Sequence, residues 1–149
     1  MSGRLSRNKG KRAEREIVTL LQGVVNQVYR EHGKIPVVLQ RNLMQSHKGG
    51  ADITSLPWMA VEVKHHARQQ PDAWWRQTLE QAEGRWPVLA YRGNRTVWTF
   101  RIPSNCSSTG MTLRGEEWAE MPWDLFRIIF GYFVKLYLQR EEFESIVRT

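Results

Sequence analysis

Cysteine is nearly missing from this 149-residue chain. A single Cys106 can close no internal disulfide and build no all-cysteine metal site, so a disulfide-stapled scaffold is excluded, and Cys106 is given no role. Long hydrophobic runs are missing as well. The uncharged apolar stretch Ile128 to Val134 falls far short of the roughly 20 residues a bilayer demands. The first residues are polar and basic, unlike a secretory leader. No internal repeat and no low-complexity tract interrupts the chain. These absences point to a soluble, cytoplasmic protein of a reducing compartment, with no membrane partner. The composition, 41% hydrophobic and 25% charged, is that of a folded domain and not of a disordered chain.

Acidic residues are scarce in the N-terminal two-thirds. Residues 1–103 hold 17 Lys and Arg against 8 Asp and Glu, whereas residues 104–149 hold 5 against 7. The surplus is densest in Arg4, Arg7, Lys9, Lys11, Arg12 and Arg15. Such a focused positive field suits a polyanion, because each neutralised phosphate releases condensed counterions. A solvated arm that only aids solubility would carry the same charges.

Residues 1–7 read as a flexible basic arm. From Asn8 to Tyr29, Ile17, Leu20, Leu21, Val24, Val25 and Val28 recur at spacings of three and four, which marks an amphipathic helix ended by Gly33 and Pro36. Val37 to Leu43 reads as a strand, 45–50 as a loop, and Asp52 to Ser55 as a short strand. Met59 to His65 is a further strand, its apolar Met59, Val61 and Val63 alternating with Ala60, Glu62 and Lys64. Pro71 opens a helix that runs to about Gly84. Val88 to Tyr91 and Thr96 to Ile102 flank Gly93-Asn94 as a hairpin. This order implies an α/β (α+β) fold with a mixed central sheet flanked by helices. Residues 8–103 form the main domain. Residues 104–149 form a linker followed by an additional C-terminal helix, Trp123 to Ile146. That helix is apolar on most sides, through Phe126, Ile129, Phe130, Phe133, Leu136 and Tyr137, so it belongs in the core or in a dimer interface.

Four residues stand out chemically. Glu62 and Lys64, two apart on one strand, leave the same face of the sheet. An isolated buried carboxylate and ammonium are costly, so that face is not simple core. Asp52 ends a glycine-rich loop. At about 100° per residue, Glu14 falls along the apolar stripe of the first helix and looks inward, whereas Glu16 faces solvent. Convergent carboxylates on a basic protein suit a hard divalent cation shared with phosphate, and a neighbouring lysine can position water or stabilise charge. A surface ion pair between Glu62 and Lys64 would place the same two residues on the same strand.

The run Gly49-Gly50-Ala51-Asp52, nine residues, then Glu62-Val63-Lys64, after a helix bearing Glu14, resembles the PD-(D/E)xK nuclease superfamily. It is most similar to the archaeal-type Holliday junction resolvases. Lys9-Gly10-Lys11-Arg12-Ala13-Glu14-Arg15 resembles their N-terminal motif, and Leu79-Glu80-Gln81-Ala82-Glu83-Gly84 their helix motif after the Glu-x-Lys strand. The likeness covers about residues 8–102. It implies a restriction-endonuclease-like fold, a homodimer, and phosphodiester cleavage in branched or duplex DNA supported by Mg²⁺ or Mn²⁺, with no small-molecule cofactor. It implies Asp52, Glu62, Glu14 and the main-chain carbonyl of Val63 as metal ligands, Lys64 as the catalytic lysine, and Gln81 as the glutamine near the active site. Ala51 stands where the superfamily often has proline, and Ser46 is the candidate for a loop hydroxyl near the scissile phosphate.

Backbone contacts are expected from Arg4, Arg7, Lys9, Lys11, Arg12, Arg41, Ser46, His47, Lys48, His65 and Arg68. His65 and His66 point to opposite faces, which suits phosphate contacts better than shared metal binding. Trp75 reads as core, and Trp74 as core or as a base-stacking surface. A nicking, repair or restriction-type nuclease on the same fold, a catalytically inactive nucleic-acid-binding protein, and an adaptor docking a partner through its last helix are the competing readings.

Overall fold

Strand propensity and alternation concentrate in Met59–His65, and this strand organises the rest of the protein. The computed structural model describes residues 2–43, 50–104 and 117–148. Helix α1 spans Ser2–Glu31, strand β1 Met59–His65, helix α2 Pro71–Ala82, strand β2 Trp86–Arg92, strand β3 Thr99–Pro103, strand β4 Trp118–Pro122 and helix α3 Trp123–Arg148. The strands form one mixed sheet in the order β1-β2-β3-β4. β1 and β2 run parallel, with Glu62 opposite Leu89, and the crossover between them is α2. The remaining pairs are antiparallel.

The alternation along β1 sorts the helices onto two faces. Met59, Val61 and Val63 share one core with Ile17, Leu21 and Val25 of α1 and with Phe126, Phe130, Val134 and Leu138 of α3. On the opposite face Trp74 and Trp75 of α2 pack on Leu89 and Tyr91, and Ala82 packs against Ala60 and Ala51. The architecture is therefore α1 and α3, then the sheet, then α2, a restriction-endonuclease-like α+β arrangement with a C-terminal helix. Trp74 is buried, with its ring tilted against those of Tyr91 and His66, so it is core and not a free base-stacking surface. No helix among the described residues is long and apolar enough to cross a membrane.

Several local expectations change. The first helix begins at Ser2, so residues 2–7 are its opening turns and not a flexible arm. The apolar run at 37–43 makes no ladder. It contributes one bridge, Arg41 to Ile53, and leaves Val38 and Leu43 exposed. Ile53 bridges onward to Val61, so the expected strand at 52–55 is reduced to a single paired residue. β4 has no counterpart in the sequence reading. It pairs with β3 over five residues and hands the chain directly to α3. The apolar C-terminal helix buries one face in the chain's own core, while Leu125, Ile128, Tyr132 and Leu136 remain outside. Ser46, His47, Lys48 and Cys106 lie outside the described residues.

Candidate active site

Asp52 arrives at the edge of β1 through the double bridge of Ile53. Gly50, with φ of 97°, adopts the left-handed backbone that turns the chain in, a conformation that favours glycine. The Asp52 main chain is clamped by the Asn42 N–H, which donates to its carbonyl at 2.7 Å. Its carboxylate is oriented by the Val63 N–H, which donates to Oδ2 at 2.7 Å. Asp52 and Glu62 are both buried, which is rare for carboxylates without compensating partners.

Glu62 is 2% exposed. Its Oε1 accepts from Lys64 Nζ at 3.1 Å and from Gln77 Nε2 at 3.4 Å. Its Oε2 is buried with no hydrogen-bond partner among the described residues. Burial pushes the Glu62 carboxyl up to about 8, and the Asp52 charge pushes the same way. Lys64 opposes the rise, and Glu14 adds to it. Both acids therefore act electrostatically on Glu62, Asp52 more strongly than Glu14. Glu14 itself is held by Arg41, whose Nε donates to its Oε2 at 2.5 Å.

A buried carboxylate oxygen without a donor, beside a second buried carboxylate, fits a hard cation. Mg²⁺ commonly takes one or two carboxylates and completes its shell with water and phosphate oxygens. Among the described residues no group of three or more His, Cys, Asp or Glu is drawn together as a metal cluster. The fit is thus to the Asp52 and Glu62 oxygens, while Glu14 is engaged by Arg41.

Helix α2 supplies the amides. Gln81 is half-buried, and its Oε1 has no partner among the described residues. Gln77, which the sequence reading passed over, is the residue that reaches Glu62. Its signal was available, because position 77 lies one helical turn before Gln81 and shares its face.

The basic residues divide around α1. Arg7 and Lys11 line a groove of about 500 Å³ with Glu14, Arg41 and Asn42. Lys9 and Arg12 line the other flank, with His65 and Arg92. Arg4 and Arg68 are exposed. Arg41 is half-buried and already paired with Glu14. Glu16 does not face open solvent as expected. It accepts from Arg92 Nη2 and from the Trp98 indole N–H, at 3.1 and 3.3 Å. His65 packs edge-on to Trp98 and His66 tilts over Trp74, so the two rings do leave opposite faces of the sheet. Burial lowers both imidazole pKa values; Arg92 and Lys9 add to this at His65, and Lys64 and Lys9 at His66.

A family model described as "Phage putative PDDEXK endonuclease" matches residues 5–128, from the first turns of α1 into α3. The chain belongs to this family. As a PDDEXK endonuclease family member it falls within the PD-(D/E)xK superfamily and is a nuclease by kinship. The match takes in β4 as well as the first residues of α3. No curated protein and no solved structure matches the chain.

Proposed function

We propose that this PDDEXK family member is a divalent-metal-dependent DNA endonuclease that hydrolyses phosphodiester bonds in branched or otherwise structured DNA. The observation that carries the reading is the buried Asp52–Glu62 pair, with a Glu62 Oε2 that has no donor among the described residues and Lys64 Nζ 3.1 Å from its other oxygen. Asp52, Glu62, the Val63 carbonyl and Glu14 would hold Mg²⁺ or Mn²⁺. When bound, such a cation polarises the phosphate and lowers the pKa of the attacking water.

The chain's own groups do the rest. The Val63 N–H fixes the Asp52 carboxylate before substrate arrives, so little reorganisation is needed at the moment of reaction. Lys64 Nζ, anchored on Glu62 Oε1, directs its remaining N–H groups toward the attacking water and the phosphate oxygens. Gln77 steadies Glu62 from α2, and Gln81 adds a second amide on the same helix face. The basic residues along α1, namely Arg4, Arg7, Lys9, Lys11 and Arg12, hold the backbone with Arg41, His65 and Arg68. Ser46, His47 and Lys48, which precede Asp52 in the sequence, are assigned to phosphate contacts as well. Contacts of this kind orient a duplex without reading its sequence, which suits recognition by shape.

The preference for branched DNA rests on the likeness to junction resolvases. Homodimerisation is supported by the exposed stripe of Leu125, Ile128, Tyr132 and Leu136 on α3. End-labelled four-way junction, flap, nicked, linear and single-stranded DNA, each with Mg²⁺ or Mn²⁺, test the substrate. Paired symmetric cuts confined to the junction are expected. Cuts spread across all duplexes would reduce the reading to a nicking or restriction-type nuclease. Tight binding with no cuts would make the protein a catalytically inactive binder. A monomer in light scattering at micromolar concentration would refute the dimer.

A further inference from the structure

The flank of α1 opposite Glu14 carries a second basic feature that the catalytic residues do not use. Asn8, Lys9 and Arg12 of α1 face His65 at the end of β1, Arg92 at the end of β2, and Arg95 and Thr96 in the β2–β3 turn, around a cleft of about 650 Å³. Lys9, Arg12, Arg92 and Arg95 come from two distant parts of the chain and converge with no carboxylate among the described residues that line the cleft. Glu16, one helical turn after Arg12, is taken up by Arg92, Arg12 and Trp98.

That arrangement is built. The Arg92 guanidinium lies over the Trp98 ring, 4.6 Å from its centroid, while Glu16 holds one of its edges. A stacked and ion-paired arginine is fixed before any anion arrives. Lys9 Nζ donates to Asn94 Oδ1, which ties the helix to the turn. Arg95 sits in left-handed backbone at φ of 60°, a conformation that glycine or asparagine adopts more readily. With an arginine there, the turn projects a long cationic side chain at the mouth of the cleft.

We propose that this cleft is a phosphate-binding subsite that takes a non-scissile phosphate of the nucleic acid, with Arg92 and Arg95 as its new members beside Lys9 and Arg12. The assignment rests on the nuclease reading above. Because His65 of the cleft and Lys64 of the catalytic face are consecutive on β1, a phosphate held here fixes the strand relative to the bond being cut. The phosphate is either internal to the backbone or a 5′-terminal one.

Binding by fluorescence anisotropy in EDTA separates these cases, using a 5′-phosphorylated linear duplex, the same duplex with 5′-hydroxyl ends, and a closed dumbbell with no ends. The test variant is Lys9→Ala/Arg95→Ala. Arg30→Ala/Arg148→Ala, at the far ends of α1 and α3, removes the same charge elsewhere. One phosphate lost should make the slope of log K against log salt shallower by about 0.9 in the test variant only. Lys9→Arg/Arg95→Lys should restore it. The change on all three DNAs assigns an internal phosphate; the change only on the 5′-phosphorylated duplex assigns a terminal one. Wild-type slopes and affinities in Lys9→Ala/Arg95→Ala, with wild-type protein still cleaving DNA in Mg²⁺, would overturn the subsite alone. Wild-type protein that neither binds nor cleaves DNA would overturn the nuclease reading and the subsite with it.

Discussion

Glu62→Gln should make the metal-free protein more stable in alkali while abolishing cleavage. The carboxyl is 2% exposed and its pKa is raised to about 8 from an ordinary 4.5. A folded-state pKa above the unfolded value means that the native state binds this proton more tightly. Its contribution is therefore fully present below pH 4.5 and is lost as pH rises through 8. At about 1.4 kcal/mol per pKa unit, the wild type should lose on the order of 5 kcal/mol between pH 4.5 and 8 through this group. Glutamine has no such proton to lose, so the variant lacks this slope. The other titrating groups, His65 and His66 among them, are common to both proteins and cancel in the difference. Urea unfolding in EDTA at several pH values between 5 and 9 measures it. Adding Mn²⁺ at pH 8.5 should then restore stability to the wild type, because a ligand of the native state alone stabilises it, and should do so far less in the variant. Parallel stability curves for the two proteins from pH 5 to 9 would refute the argument.

Two further outcomes test the fold beneath the site. Arg101 is buried between Glu120, Asp72 and the Trp118 ring, and Tyr91 also donates to Glu120 at 2.7 Å. Arg101→Ala leaves Glu120 and Tyr91 without their cation and unties the start of α2, but the carboxylates left behind reach solvent, so a loss of about 1.5–3 kcal/mol in urea unfolding is expected; a loss below about 0.5 kcal/mol would contradict it. Gly131 lies within the continuous helix α3, and a methyl group there would meet Val24 Cγ1 at an ordinary 3.4 Å. Gly131→Ala should stabilise the protein by about 0.5–1 kcal/mol through helix propensity, and a lower melting temperature would show that α1 and α3 pack more tightly there than the contact implies.

The parts of the fold that were legible in the sequence are those whose pattern is set by burial on one side. β1 was readable because Met59, Val61 and Val63 enter one core while Ala60 and Glu62 meet α2. The β2–β3 hairpin and α2 followed from turn residues and Pro71. β4 escaped because it is an edge strand with only Met121 well buried, so Trp118, Glu120 and Pro122 show no alternation worth reading. The run at 37–43 misled for the opposite reason. Its apolar residues promise a strand, but its main chain makes one bridge, Arg41 to Ile53, and one further backbone hydrogen bond, from Asn42 to Asp52, which is too little for a ladder. At the site, helix geometry alone singled out Glu14 as inward-facing, and it is 15% exposed against 34% for Glu16. Glu16 was misplaced because Arg92 and Trp98, more than 75 residues away, come back to meet it. Gln77 shares the helix face of Gln81 one turn earlier, so the face was legible, whereas the turn of α2 that crosses β1 at Glu62 was not.

The central claim is that the Asp52–Glu62–Lys64 group cuts DNA with a divalent cation. Its most direct test is the conversion of supercoiled plasmid to nicked and linear forms by wild type, Asp52→Ala and Lys64→Ala, each in Mg²⁺, Mn²⁺ and EDTA, with a four-way junction run alongside. The account predicts cleavage of at least one DNA by the wild type in Mg²⁺ or Mn²⁺, none in EDTA, and none by either variant although both still bind DNA. Undiminished cleavage by Asp52→Ala, or cleavage that persists in EDTA, would contradict it.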